Sequence, residues 1–327
     1  MRFGVVIPSY GPWADPQRIL EAVRTVEDEG YDTAWFGDHI VIPDYAAHIS
    51  PPPWLHAVSC MLVGAGCTER IRLGSDVLVL PYRNPVELSQ LIASGDQLSA
   101  GRLILGVGVG YIRGEFDAVG APPYDERGAV TDEFLRAMRT LWDSNGPVSF
   151  SGKWTRFEDV HAAPPPFHQP FPVWVGGNGP AGRRRAAALG NGWHPLFPTP
   201  EEYSRGREDI LERRRQSRLS GEFSFSYSCS ATHILRDGER SPFEATFPTE
   251  APSVPAEYDY APPPPRDGSG RLYFVGTPSQ VRQDIETYAD AGVEHLTLRF
   301  WHHDPSFGLE ELRAQLARFA KDVMRHT

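Results

Sequence analysis

Cysteine is nearly absent from this chain of 327 residues: Cys60, Cys67 and Cys229 are the three occurrences. Three thiols cannot build a disulfide framework. If Cys60 and Cys67 share a helix they lie about two turns apart, roughly 10 Å, which is too far to bridge. Long apolar runs are also missing, and nothing approaches the ~18 consecutive apolar residues that a membrane-crossing helix requires. The opening run, Met1 to Pro8, is short, ends at a proline and lacks the layout of a secretory signal, so a cytoplasmic setting is expected. Lysine occurs only at Lys153 and Lys321. Basic residues are outnumbered, 32 against 42 acidic, for a formal net charge of −10. That balance argues against nucleic acid as the main partner.

Catalytic signatures of several common kinds are missing too. No G-x-S-x-G elbow is present, and no cysteine sits in a nucleophile motif. His302, His303 and Asp304 are sequential, without the i, i+4 spacing of a helical zinc pair, so no metal site is expected.

What is present is alternation. Short β-branched or aromatic runs at residues 3–8, 32–36, 71–80, 103–109, 173–175, 192–194, within 223–235, and at 296–300 read as strands. Between them, helical periods fall at 15–30, 54–66, 85–98, 126–142, 180–189, 200–219 and 278–291, with a last one at 309–324. Ile19, Val23 and Val26 make one apolar face, and Val130, Phe134, Met138, Leu141 and Trp142 another. Repeated βα units of this kind predict an α/β fold, a (β/α)8 TIM barrel in one domain over 1–327. Val148 to Phe150 and Trp154 to Phe157 predict a hairpin inserted before strand five. Residues 237–270 hold eight prolines, including Pro262 to Pro265, and break the periodicity after strand seven. They read as an insertion or a lid. Three helix starts share one device: Asn84-Pro85-Val86-Glu87, Thr199-Pro200-Glu201-Glu202 and Thr277-Pro278-Ser279-Gln280. Each offers a capping side chain, proline at the first helical position, and Glu or Gln three residues after the cap.

Barrel enzymes work at the C-terminal ends of their strands, which directs attention to five places. Asp38 and His39 follow strand two, and histidine is the side chain best suited to exchanging protons near neutral pH. Asp76 and Val77 lie near the end of strand three. Gly106, Gly108 and Gly110 follow a G-x-G-x-G spacing that lacks the remaining features of a dinucleotide fingerprint. Gly176, Gly177 and Asn178 lead into a helix whose first N–H groups suit a phosphate, with Arg183, Arg184 and Arg185 close behind. Trp193-His194-Pro195 closes strand six. Tyr10, Trp13, Trp54, Tyr111 and Trp193 are candidate aromatic walls for a pocket.

Two stretches carry a family resemblance across nearly the whole chain. One is Val77-Leu78-Val79-Leu80-Pro81-Tyr82-Arg83-Asn84-Pro85, continued by Asp96 to Gly110. The other is Pro172-Val173-Trp174-Val175-Gly176-Gly177-Asn178, followed by Ala186 to Trp193. Together they resemble the bacterial luciferase-like superfamily of flavin and deazaflavin oxidoreductases, and most nearly its coenzyme F420-dependent branch. The resemblance implies a barrel with a tricyclic ring at the strand C-termini and a non-prolyl cis peptide behind it, here Asp76–Val77. It places Asp38 and His39 near the reacting centre and Gly106, Gly108 and Gly110 along the cofactor tail. Gly176, Gly177 and Asn178 would hold its phosphate. It implies hydride transfer to or from a small organic substrate, and a homodimer. FMN with oxygen is the alternative cofactor chemistry, and a non-catalytic cofactor-binding barrel is the other reading. In the sugar-phosphate dehydrogenase branch an acid follows the glycine run; Tyr111 stands there in this chain, which points to a different substrate.

Overall fold

The computed structural model describes residues 1–47, 50–236, 238–243, 264–300 and 307–326. Its strands are β1 (Arg2–Ile7), β2 (Thr33–Phe36), β3 (Arg72–Ser75), β4 (Leu78–Val79), β5 (Leu103–Gly108), β6 (Pro147–Ser151), β7 (Arg156–His161), β8 (Val173–Val175), β9 (Gly192–Trp193), β10 (Ser224–Ser228), β11 (His233–Ile234), β12 (Val275–Gly276) and β13 (His295–Leu298). The helices are α1 (Pro16–Asp28), α2 (Ala57–Gly66), α3 (Pro85–Leu98), α4 (Arg113–Val119), α5 (Arg127–Trp142), α6 (Pro180–Leu189), α7 (Pro200–Gln216), α8 (Pro278–Asp290) and α9 (Leu309–Asp322).

Parallel pairing runs β3-β2-β1-β13-β10-β9-β8-β5-β4, and a further β3–β5 pairing closes the sheet on itself. This is the expected eight-stave barrel, with β3 and β4 as two halves of one stave. The break between them differs from the continuous strand the sequence suggests, and the Asp76–Val77 peptide within it is cis. The inserted hairpin is β6 against β7, antiparallel and longer than expected. Two elements were not anticipated: helix α4, in what reads as a loop, and the β11–β12 ribbon. Most of the proline-rich segment, 244–263, lies outside the described residues, as do His302, His303 and Asp304.

Local sequence explains the helix starts. Thr199 and Thr277 each close a reciprocal capping box with Glu202 and Gln280. At Asn84 the side-chain amide oxygen accepts from both Val86 N and Glu87 N. Proline fills the first helical position in all three, where its missing N–H leaves nothing unsatisfied.

Inside the barrel, strand alternation turns Val6, Trp35, Ile104 and Trp174 toward one another. Two indoles fit because glycine faces them. A Cβ at Gly4 or Gly74 would overlap the Trp35 ring, and one at Gly192 would overlap Trp174. Outside, the apolar faces of the helices cover the staves; Ile19, Val23 and Val26 of α1 are all buried.

This lumen packing is testable. Gly74→Ala should lower unfolding free energy by about 1–3 kcal/mol through overpacking. Gly66→Ala, where a Cβ meets nothing within 4 Å, should leave it unchanged or raise it. Denaturant midpoints of the two variants check this, and equal midpoints would contradict it.

Candidate active site

The loop after β2 carries Gly37, Asp38 and His39 over the mouth of the barrel. The two side chains turn in different directions. Asp38 Oδ2 accepts from Val79 N at 2.8 Å and from Arg83 Nη1 at 2.6 Å, while Oδ1 accepts from Arg83 Nη2 at 2.5 Å. This two-pronged pair is almost fully buried. It ties the β2 loop to β4 and to the turn before α3, and both carboxylate oxygens are taken.

His39 sits between three groups. Its Nδ1 lies 2.8 Å from Glu115 Oε2 and its Nε2 3.1 Å from the Tyr111 hydroxyl. Its ring meets Trp54 edge to face at 4.5 Å, and Trp54 stacks on Tyr10 at 3.9 Å. Glu115, on α4, has no exposure to water. Its Oε1 accepts from Ile40 N at 2.6 Å, and its Oε2 also accepts from the Tyr82 hydroxyl at 3.0 Å. Burial, with the adjacent Glu115 charge, pushes the Tyr82 phenol well above its ordinary range, so it stays a donor. Every neighbour of Glu115 is therefore a donor. In the neutral imidazole the Nδ1 proton points at Glu115, which leaves the Nε2 lone pair toward Tyr111.

A second buried cluster forms the floor. Asp76, after β3, has no exposed side-chain surface. Its Oδ1 lies 2.8 Å from His194 Nε2, and its Oδ2 accepts from Arg299 Nη2 at 2.8 Å. His194 Nδ1 lies 2.6 Å from Ser226 Oγ, and the imidazole stacks on Trp35 at 4.7 Å. Burial works to raise the Asp76 pKa, but the His194 hydrogen bond and the Arg299 charge outweigh it and hold the group below its ordinary value.

The glycines have a packing duty that the structure makes visible. The Cβ position of Gly106 is taken by the Ser75 carbonyl, and that of Gly108 by Val77 Cγ2 at 2.7 Å. Gly110, at φ +82°, faces Val79 and Phe116. These three make room for the broken β3–β4 stave. Gly176 also faces Val77, with its methyls at 3.4 and 3.5 Å. Val77 therefore stands as a ridge among Gly106, Gly108 and Gly176.

Gly177, at φ +102°, gives its carbonyl to the Trp193 indole N–H at 3.0 Å. The Asn178 side chain is committed to both backbone groups of Leu196, at 2.6 and 3.0 Å. Asn178 thus shapes the turn through its side chain. The start of α6 has no side-chain cap, and Gly179 opens onto free space. A cavity of about 410 Å³ lies there, bordered by Asn178, Gly179, Arg183, Trp193 and Arg205. Arg184 and Arg185 turn away to pair with Asp132 on α5. Of the aromatic candidates, Tyr10, Trp54 and Tyr111 gather around His39, Trp193 borders the α6 cavity, and Trp13 packs against Phe307 in the core.

Glu115, Tyr82, Arg83 and Arg299 are the site residues that sequence reasoning missed. Tyr82 and Arg83 sit in a motif that reads first as a helix cap. Arg299 was legible in principle, since His295, Thr297 and Arg299 alternate to one face of β13 and its extension. Glu115 had no such signal, because α4 is short and carries no clear apolar period.

Comparison with known proteins gives the family and the fold. Residues 1–295 match the family model described as luciferase-like monooxygenase, and the chain belongs to that family. The F420-dependent glucose-6-phosphate dehydrogenase of Amycolatopsis mediterranei is 27% identical over 335 residues, 94% of each chain. Among solved structures, monooxygenase RslO1 from Streptomyces bottropensis superposes with a TM-score of 0.78 at 21% identity, covering 100% of this chain and 99% of that one. An F420-dependent secondary alcohol dehydrogenase, solved with an F420–acetone adduct, also gives 0.78, at 20% identity over 97% and 99% of the two chains.

The Asp76 cluster predicts an acid limb. The folded pKa is lowered, so the carboxylate contributes stability above its ordinary value of 3.8 and loses that contribution as pH falls through the lower folded value. Asp76→Asn should cost about 3–5 kcal/mol near neutrality by leaving the Arg299 guanidinium without its counter-charge and His194 without its carboxylate partner. At about pH 3 the gap to the parent should narrow. A gap independent of pH, read from denaturant midpoints, would contradict this.

Proposed function

We propose that this chain is a coenzyme F420-dependent oxidoreductase that moves a hydride between the deazaflavin and a small organic substrate, with His39 exchanging the accompanying proton. The observation that carries this is the His39 imidazole, held at the barrel mouth with Glu115 on one nitrogen and Tyr111 on the other. The curated relatives named as F420-dependent support the choice of cofactor. The residues present suit a flat ring with an anionic tail. The Val77 ridge offers a back wall, and the uncapped start of α6, with Arg183 and Arg205 beside its cavity, offers a place for a phosphate.

When bound, the deazaflavin supplies a hydride donor or acceptor at its ring carbon five. The chain does the rest. The Nε2 side of His39 takes or gives the substrate proton, with the Tyr111 hydroxyl as its nearest relay. Glu115 fixes the ring orientation and balances the charge when the imidazole holds both protons. Asp38 and Arg83 hold the loop that carries His39, so Asp38 is a positioning residue here and His39 the catalytic one. The Tyr10–Trp54 stack walls the imidazole from water, and Ile40 and Val41, exposed at the rim, favour an apolar substrate. The same proposal includes a homodimer in the cytoplasm; exposed Val63 on α2 and Leu91 and Leu98 on α3 would suit such a contact.

Fluorescence titration should show F420 binding tightly and FMN weakly. Tight FMN binding without F420 binding would instead favour a flavin monooxygenase. His39→Ala should retain the cofactor and lose about 10²–10⁴-fold in kcat. Unchanged turnover would remove His39 from the chemistry.

A further inference from the structure

The opposite, N-terminal end of the barrel holds a cavity of about 400 Å³. Four neighbouring staves, β3, β2, β1 and β13, contribute one inward residue each: Arg72, Thr33, Arg2 and His295. These four share an unusual property. Among the described residues, neither guanidinium has a hydrogen-bonded carboxylate: Arg2 stands exposed at its strand end and Arg72 is half-buried, whereas Arg83, Arg185 and Arg271 are each paired with an acid. The Thr33 hydroxyl and both ring nitrogens of His295 are buried without any hydrogen-bond partner. Thr33 is fully buried and His295 is 3% exposed. Orphaned donors at this depth are costly, and native structures rarely leave them without a protein, water or ligand partner.

Carboxylates also line this cavity, but two of them are spent on backbone. Glu27 accepts from Glu69 N, Arg70 N and Ile71 N, at 2.6 to 3.2 Å. Asp32 Oδ2 accepts from Phe3 N at 2.7 Å. Asp28 and Arg70 complete the lining. Asp28 and the second Asp32 oxygen remain as acceptors there, and the uncommitted donors are the Arg2 and Arg72 guanidiniums, the Thr33 hydroxyl and one ring nitrogen of His295. Burial, and then the neighbouring Arg2 charge, depress the Arg72 pKa. Burial also holds His295 well below its ordinary value, aided by His194, Arg72 and Arg2. Two like charges have been brought together beside a neutral imidazole, on a protein whose net charge is −10.

We propose that this end of the barrel binds a tetrahedral oxyanion of the phosphate class, held between the Arg2 and Arg72 guanidiniums above Thr33 and His295. Donors from four staves surround the space rather than forking one plane, which suits a tetrahedral anion better than a planar carboxylate. The cavity is larger than one such ion needs, so the natural ligand is a small phosphate monoester with its phosphate innermost. The site is distinct from the catalytic mouth, since its residues open the staves whose C-terminal ends carry the chemistry, and it does not depend on the F420 reading.

Calorimetric titration of the intact protein with inorganic phosphate, with glycerol phosphate and with acetate tests this. The expected result is saturable binding of both phosphates, the ester more tightly, and none of acetate. Arg72→Gln should weaken that event about tenfold or more. Arg2→Gln, at an exposed strand end that folding tolerates, should do the same and keeps the test valid if Arg72→Gln does not fold. Arg156→Gln, on the exposed hairpin strand β7, should leave it unchanged. Absence of saturable phosphate binding would overturn the proposal. So would binding that survives Arg2→Gln and is lost in Arg205→Gln, since that would place the anion at the other end.

Discussion

A single buried carboxylate organises the mouth of this barrel. Glu115 has no contact with water and must be satisfied by protein donors, because an unpaired buried charge is among the costliest features a fold can hold. It recruits Ile40 N–H, the Tyr82 hydroxyl and His39 Nδ1. Two of these lie in the loop after β2 and one in the turn after β4, so one side chain on α4 joins that loop and that turn to its own helix. The orientation of His39 follows from it, and so does the direction in which its free nitrogen faces. Asp38 does the complementary work from the other side, clamping the same loop to β4 through Arg83.

The lumen shows a second constraint, in which glycine and large side chains are exchanged between neighbouring staves. Gly4, Gly74 and Gly192 admit two indoles, and Gly106 and Gly108 admit the Ser75 carbonyl and Val77. The glycine-rich spacing after strand four therefore serves the break in strand three. The resulting ridge and the uncapped start of α6 are separate consequences of local backbone geometry.

Much of the barrel was legible because strands and helices carry different periods, and because capping boxes mark where Thr199 and Thr277 begin their helices. His39 was legible from its place at a strand end. Less so were its partners. Glu115 lies 76 residues away in sequence, on a helix too short to show an apolar stripe, and no local pattern links the two. That Arg83 takes both oxygens of Asp38 is not visible in the sequence. The same holds for the Asn178 side chain, whose partner Leu196 is met only through backbone. The β11–β12 ribbon is two residues per strand and leaves no alternation to detect.

The account rests on the proton arrangement of His39, and nitrogen-15 NMR of the histidine-labelled protein reads it directly, with the signals assigned by their loss in His39→Ala. In the neutral imidazole, Nδ1 should carry the proton and show a pyrrole-type shift, while Nε2 shows a pyridine-type shift. The reverse pattern, with the proton on Nε2 and a bare Nδ1 facing Glu115, would contradict it.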